Sequence, residues 1–157
     1  MLVDHIDELR DALREVKSRH PFRIDAMVVM PNHLHALWTL PPGDANYPLR
    51  WSLIKSGFSR RLPKTERRNP SREEKGERGI WQRRYWEHWV RNERDFERHV
   101  EYIHYNPVKH GFVKCPADWP WSSIHRYIRE GILSADWGAD IWVVDDPGSS
   151  YGEPAPP

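Results

Sequence analysis

Apolar residues recur along this chain with two different periods, and the switches between them mark out its elements. In residues 3–18, Ile6, Leu9, Leu13 and Val16 fall at helical spacing, which predicts an amphipathic helix ended by Pro21. Residues 23–29 and 33–40 are apolar-rich runs either side of Met30-Pro31-Asn32, the pattern of an antiparallel hairpin. In the second run Leu34, Ala36, Trp38 and Leu40 are expected to enter the core, with His33 and His35 on the opposite face. A helix is expected over 48–62, where Trp51, Ile54, Phe58 and Leu62 repeat along one side. Residues 63–79 read as a mobile loop and 80–90 as a strand with an aromatic face. Asn92 can cap a further helix whose buried stripe is Phe96, Val100 and Ile103. That helix is expected to run to about Tyr105, with Pro107 breaking it. The segment that follows is turn-rich and ends in a short helical piece.

Charge changes this picture more than composition does. A hydrophobic share of 38% and a charged share of 30% are ordinary for one compact domain. No apolar run approaches the ~20 residues needed to span a bilayer, and the charged N-terminus lacks the core of a signal peptide. The single Cys115 excludes an internal disulfide framework and suits the cytoplasm. The net charge of +1 hides a division, however. Residues 50–91 carry thirteen Lys/Arg against five Asp/Glu, threaded with aromatic rings. Cations attract phosphates and flat rings stack on bases, so this segment fits a nucleic-acid groove, although a solvated charged loop fits the composition equally well. Lys55, Arg60, Arg61, Trp81, Arg83, Arg84, Trp86 and Arg91 are the candidate contacts. Residues 134–157 hold five acidic residues and no basic one. That stretch reads as a largely disordered acidic tail behind a domain of residues 1–133.

The candidate chemistry lies in two short motifs. His33-Leu34-His35 on a strand would aim both imidazoles to one side, able to hold a divalent ion together. Taken alone the pair could equally be two half-exposed histidines on a sheet face. On the last helix Tyr102 and Asn106 lie four apart and share a face. A tyrosine can attack a phosphodiester and retain the phosphate covalently, but with an unperturbed pKa of about 10 it needs a cation or base beside it. A metal held by His33, His35 and the Asn106 oxygen would meet that need, with magnesium or manganese the expected ion. His99 is a weaker candidate as a helper on the same side. His88, His104, His110 and His125 show no ligand spacing and read as surface or packing residues.

These motifs, with their neighbours, resemble the REP-associated tyrosine transposases, a branch of the single-tyrosine HUH insertion-sequence transposases. The resemblance rests on MPNHLHALWTLP, IWQRRYWEHWVRN, VEYIHYNPVKHGFVK and DWPWSSIHRY, which span most of residues 21–137 in order. It implies an α+β, ferredoxin-like fold with helices packed on one face of an antiparallel sheet. It also implies a metal on His33, His35 and Asn106, and Tyr102 rather than Tyr105 as nucleophile. The substrate implied is single-stranded DNA carrying REP hairpins, cut to a 5′-phosphotyrosine and a free 3′-hydroxyl at the bacterial nucleoid. Oligomeric state is left open between monomer and homodimer. One departure stands out, because the usual N-terminal strand is expected to be lacking: the first helix follows Met1 almost at once. A catalytically inactive hairpin-binding relative is the main alternative. A two-histidine phosphoesterase fits poorly, because it needs two separate His-x-Ser/Thr elements.

Overall fold

The computed structural model describes residues 1–65, 70–76, 78–82 and 85–139. The candidate contacts Arg83 and Arg84 lie outside these residues, as does the expected acidic tail beyond residue 139. The chain forms two compact units, one of Met1–Val3, Arg23–Thr39 and Glu87–Pro157, the other of Asp4–Phe22 and Leu40–Trp86.

The first unit is built on the expected hairpin. Strands β1 (Arg23–Val29) and β2 (Leu34–Thr39) pair antiparallel, and the Met30 N–H donates to the His33 carbonyl at 2.9 Å to close the turn. Ile24 faces Trp38 and Ala26 faces Leu37, so Asp25 is the extra residue of a bulge. Its buried carboxylate accepts from the Arg23 guanidinium and the Thr39 hydroxyl. The far edge of β1 is occupied too. Val28 bridges to Ser122, the Val29 N–H donates to Trp121 and the Ser123 N–H donates to Met27, which protects an otherwise open edge.

Helix α4 (Glu93–Lys109) covers one face of this hairpin. It starts where expected, with the Asn92 side chain accepting from the Asp95 N–H. Val100 and Ile103 bury against Ala26, Val28, Leu37 and Trp119. The short helix α5 (Ile124–Arg129) is tied to β1 by Arg126, whose guanidinium donates to the Ile24 and Asp25 carbonyls.

In the second unit α1 (Ile6–Arg19) packs on α2 (Tyr47–Arg61). The buried Leu9, Ala12, Leu13 and Val16 of α1 pack toward the buried Ile54, Gly57 and Phe58 of α2, and a Cβ on Gly57 would rest in ordinary contact, 3.5 Å from that of Ala12. Arg50 is buried but satisfied, donating to Asp44 and to the carbonyls of His20 and Pro21. A 3-10 turn (Val3–His5) leads directly into α1, and no strand precedes it among the described residues.

The α+β class is as expected, but four local readings fail. The expected strand over 80–90 is irregular wherever it is described. Its rings at 81, 85 and 89 would share a strand face, but no strand pairs with the segment among the described residues. The loop expected over 63–79 contains a short helix, α3 (Pro70–Glu74). Helix α4 does not stop at Tyr105 but runs through Pro107. The proline forfeits one hydrogen bond near the end of the helix, while its ring is wholly buried and the chain beyond still bonds back, His110 to Asn106 and Phe112 to Pro107. Finally, the core-facing residue of β2 is Leu37, while Leu34, Ala36, Trp38 and Leu40 are half-buried. Because His35 pairs with Val28 and Leu37 with Ala26, the histidines share the face that α4 covers. Among the described residues no helix is long and apolar enough to cross a membrane.

Candidate active site

That change of face is what assembles the site. His33 lies at the end of the turn and His35 on β2, their rings 5.0 Å apart and nearly perpendicular. The Tyr102 ring, coming from α4, stands edge-on to His35 at 5.4 Å. The Nδ1–H of His33 donates to the Asn32 side-chain oxygen at 2.7 Å, because that oxygen can only accept. The Nε2 atom is thereby left as the lone-pair nitrogen, as in ligands oriented by an outer hydrogen bond. One helical turn beyond Tyr102, Asn106 is wholly buried, and neither its Oδ1 nor its Nδ2 has a hydrogen-bond partner among the described residues. Buried polar groups are almost always satisfied, so an orphaned carboxamide points to a missing partner. Two imidazole nitrogens and an amide oxygen, if brought to one ion, would suit a divalent cation and leave positions open for phosphate oxygens.

Two further residues join the group that sequence reasoning missed. The His110 ring is 5.5 Å from His33, and the Lys109 ammonium is 5.0 Å from the centre of the Tyr102 ring. His110 lies four residues past Asn106 and eight past Tyr102, so helical spacing could have found it had the helix been carried through Pro107. His99 does not join. Its Nδ1 donates to the Asp95 carbonyl at 2.7 Å and its ring stacks on His88 at 4.5 Å. His104 and His125 are packing residues, as expected. His104 bonds the Ser123 hydroxyl at 2.8 Å and His125 the Trp119 carbonyl at 2.9 Å. Burial, with the Arg126 guanidinium nearby, pushes the His104 pKa down to about 4, so the ring is neutral. A cleft of about 660 Å³ lined by Phe96, Glu97, His104, Arg126 and Tyr127 includes none of His33, His35, Tyr102 or Asn106.

The candidate DNA contacts are dispersed. Arg91 is exposed in the first unit, just ahead of α4. In the second unit Trp86 is exposed, whereas Trp81 packs edge-on to Phe58 at 5.3 Å and donates its indole N–H to Ser59. The Lys55 ammonium sits over Tyr85 at 5.0 Å, and burial lowers its pKa. Arg60 is exposed near the end of α2. Arg61 is engaged within its own unit, bonded to Glu15 at 2.9 Å and to the Gly57 carbonyl.

A paired-histidine hairpin crossed by a helix bearing tyrosine and asparagine defines a class, and comparison with known proteins agrees. Residues 2–106 match the family described as Transposase IS200 like. The chain is 42% identical to the REP-associated tyrosine transposase of Escherichia coli K12 over 141 residues, 90% of this chain and 78% of that protein. A Haemophilus influenzae protein bearing the same family name is 44% identical over 140 residues, 88% of this chain and 80% of its own length. A solved REP-associated tyrosine transposase bound to a REP hairpin superposes with a TM-score of 0.78 at 39% identity, covering 99% of this chain and 84% of that one. The chain belongs to the IS200-like transposase family, in its REP-associated tyrosine transposase branch.

Proposed function

We propose that this protein is a metal-assisted endonuclease and strand transferase acting on single-stranded DNA that folds into REP-type hairpins, in the bacterial cytoplasm. The observation that carries this reading is the meeting of Tyr102 with the His33–His35 pair, beside the orphaned carboxamide of Asn106. Tyr102 Oη attacks the scissile phosphorus, a bond forms between them, and the bond from phosphorus to the 3′-oxygen breaks. The product is a 5′-phosphotyrosine and a 3′-oxygen that takes up the proton lost by the phenol. The phosphodiester energy is conserved in the tyrosyl ester, so a second 3′-hydroxyl can reverse the step and join strands.

His33, His35 and Asn106 would hold magnesium or manganese. When bound, such an ion polarises the phosphate and stabilises charge on the departing oxygen. The Lys109 ammonium, 5.0 Å from the centre of the Tyr102 ring, would add positive charge near a phosphate brought to that tyrosine. Within the unit that carries Tyr102 the exposed Arg91 offers phosphate attraction, and within the second unit the exposed Trp86 offers a ring for base stacking. Support for the hairpin substrate comes from the solved relative, which was captured on a REP hairpin.

The test is a denaturing gel of protein incubated with labelled single-stranded REP hairpin DNA and manganese. A labelled protein band that disappears in Tyr102→Phe, with hairpin binding kept, is the expected result. Binding without any adduct in the unaltered chain would instead identify a hairpin-binding relative without catalysis.

A further inference from the structure

A second group of metal-ligating side chains lies one turn and more before Tyr102, where the chain enters α4. The closest ligand atoms of His88, Asp95 and His99 all lie within 4.8 Å of one another. His88 Nε2 is 2.9 Å from Asp95 Oδ2, and His99 Nδ1 is 3.3 Å from Asp95 Oδ1. The same Nδ1 donates its proton to the Asp95 carbonyl, which leaves His99 Nε2 as the lone-pair nitrogen. Fixing an imidazole tautomer through a backbone carbonyl is the usual outer-shell support of a metal-binding histidine. His99 is nearly buried, while His88 and Asp95 are partly exposed, so an ion could enter from the His88 side.

We propose that His88, Asp95 and His99 form a second metal site, distinct from the His33–His35–Asn106 site, that takes zinc or a similar borderline transition metal. Two imidazoles and one carboxylate are a zinc donor set, with a fourth position left for water. A tetrahedral ion with bonds near 2.0–2.1 Å needs its donors about 3.3 Å apart, so the His88 and Asp95 side chains must swing toward Nε2 of the His99 ring to close on it. The two rings now stack at an interplanar angle of 15°, and an ion must lie in the plane of each ring. Binding therefore turns the His88 ring, which sits in the irregular segment ahead of the helix, out of the stack. The ion would pin that segment, with the exposed Trp89 and Arg91, to the first turns of the helix that carries Tyr102. The role assigned is structural, and it does not depend on tyrosine chemistry.

The experiment is calorimetric titration of the full chain with Zn²⁺ alone, in a His33→Ala/His35→Ala background that disables the first site. Zinc binding that persists there, and that weakens about 10–100-fold or vanishes in Asp95→Asn and in His88→Phe, is the expected result. Phenylalanine keeps the ring stacked on His99 and removes only the nitrogens, so loss of zinc with unchanged metal-free melting is not a folding defect. If Asp95→Asn does not fold, the His88→Phe result alone decides. Loss of all zinc binding on removing His33 and His35, or unaltered binding in His88→Phe, overturns the proposal. Neither outcome bears on the covalent adduct at Tyr102.

Discussion

Replacing Asn106 by leucine should stabilise the metal-free protein while destroying its proposed chemistry. The two side chains share one branched skeleton of four heavy atoms, so leucine is the apolar replacement nearest in shape for this wholly buried site, at the cost of some local adjustment for its bulkier methyl groups. What changes is that two amide atoms without hydrogen-bond partners become two methyl groups. A buried polar group left unsatisfied costs ~1–3 kcal/mol, and an apolar group of equal shape carries no such cost. Two atoms of one amide are not independent, and local relaxation recovers part of the penalty, so a net gain of about 1–3 kcal/mol is the reasonable expectation. For a chain of this size that corresponds to a rise in Tm of roughly 2–12 °C.

Thermal unfolding followed by circular dichroism, in chelator and in excess manganese, separates the possibilities. In chelator Asn106→Leu should melt above the unaltered protein. In manganese the unaltered protein should gain stability by mass action, about 2.7 kcal/mol at a hundred times the dissociation constant, and the variant should gain less. The variant should also fail to form the covalent DNA adduct. A leucine variant that melts below the parent in chelator would refute the reasoning. It would mean that the carboxamide is already satisfied without an ion, and the case for Asn106 as a ligand would lose its physical basis.

Other perturbations probe the remaining steps. Arg91→Ala should weaken hairpin binding for every sequence alike and reduce the slope of log affinity against log salt by about one, whereas Arg61→Ala, already paired with Glu15, should leave that slope unchanged; fluorescence anisotropy across a salt series reads both. Ile103→Ala, which empties a core position on α4 next to Tyr102, should cost about 2–5 kcal/mol in urea unfolding. The depressed pKa of His104 makes stability depend on pH. The unfolded chain takes up its proton near the ordinary value of 6.5 and the folded chain only near about 4, so as pH falls through that window the unfolded state binds more protons and stability is lost, at up to about 1.4 kcal/mol per pH unit. His104→Gln, which can still reach the Ser123 hydroxyl, should flatten the stability curve between those limits. An unchanged curve would mean that the ring titrates normally.

What was legible in the sequence was whatever repeats. The hairpin and the helices follow from apolar periods of two and of nearly four, and β1 and the α4 N-cap fall where those periods place them. The His33–His35 pair and the Tyr102–Asn106 spacing were legible for the same reason, since each pair follows the period of its element, although His33 itself lies just ahead of β2. Facing failed where periodicity is silent about what covers a face. On β2 the alternation says that odd and even residues part company, but not which set a helix will cover, and the half-burial of Leu34, Ala36 and Trp38 shows both faces occupied. The His88–Asp95–His99 cluster was illegible because His88 belongs to an irregular segment with no period. Its approach to α4 is a tertiary fact.

The most instructive miss is Pro107. A local rule ends a helix there, and had the chain obeyed it Asn106 would have left the helical face it shares with Tyr102. Instead α4 carries helical geometry to Lys109, at the loss of one backbone bond, and so brings Lys109 up to the Tyr102 ring and His110 beside His33. Local rules are expected to fail at functional positions, because selection there acts on placement rather than on propensity. A proline buried where it weakens the helix, immediately after an asparagine buried without a hydrogen-bond partner among the described residues, is two such departures in consecutive residues. Their coincidence on the turn after Tyr102 argues that this stretch is shaped for the chemistry of the site more than for the stability of the fold.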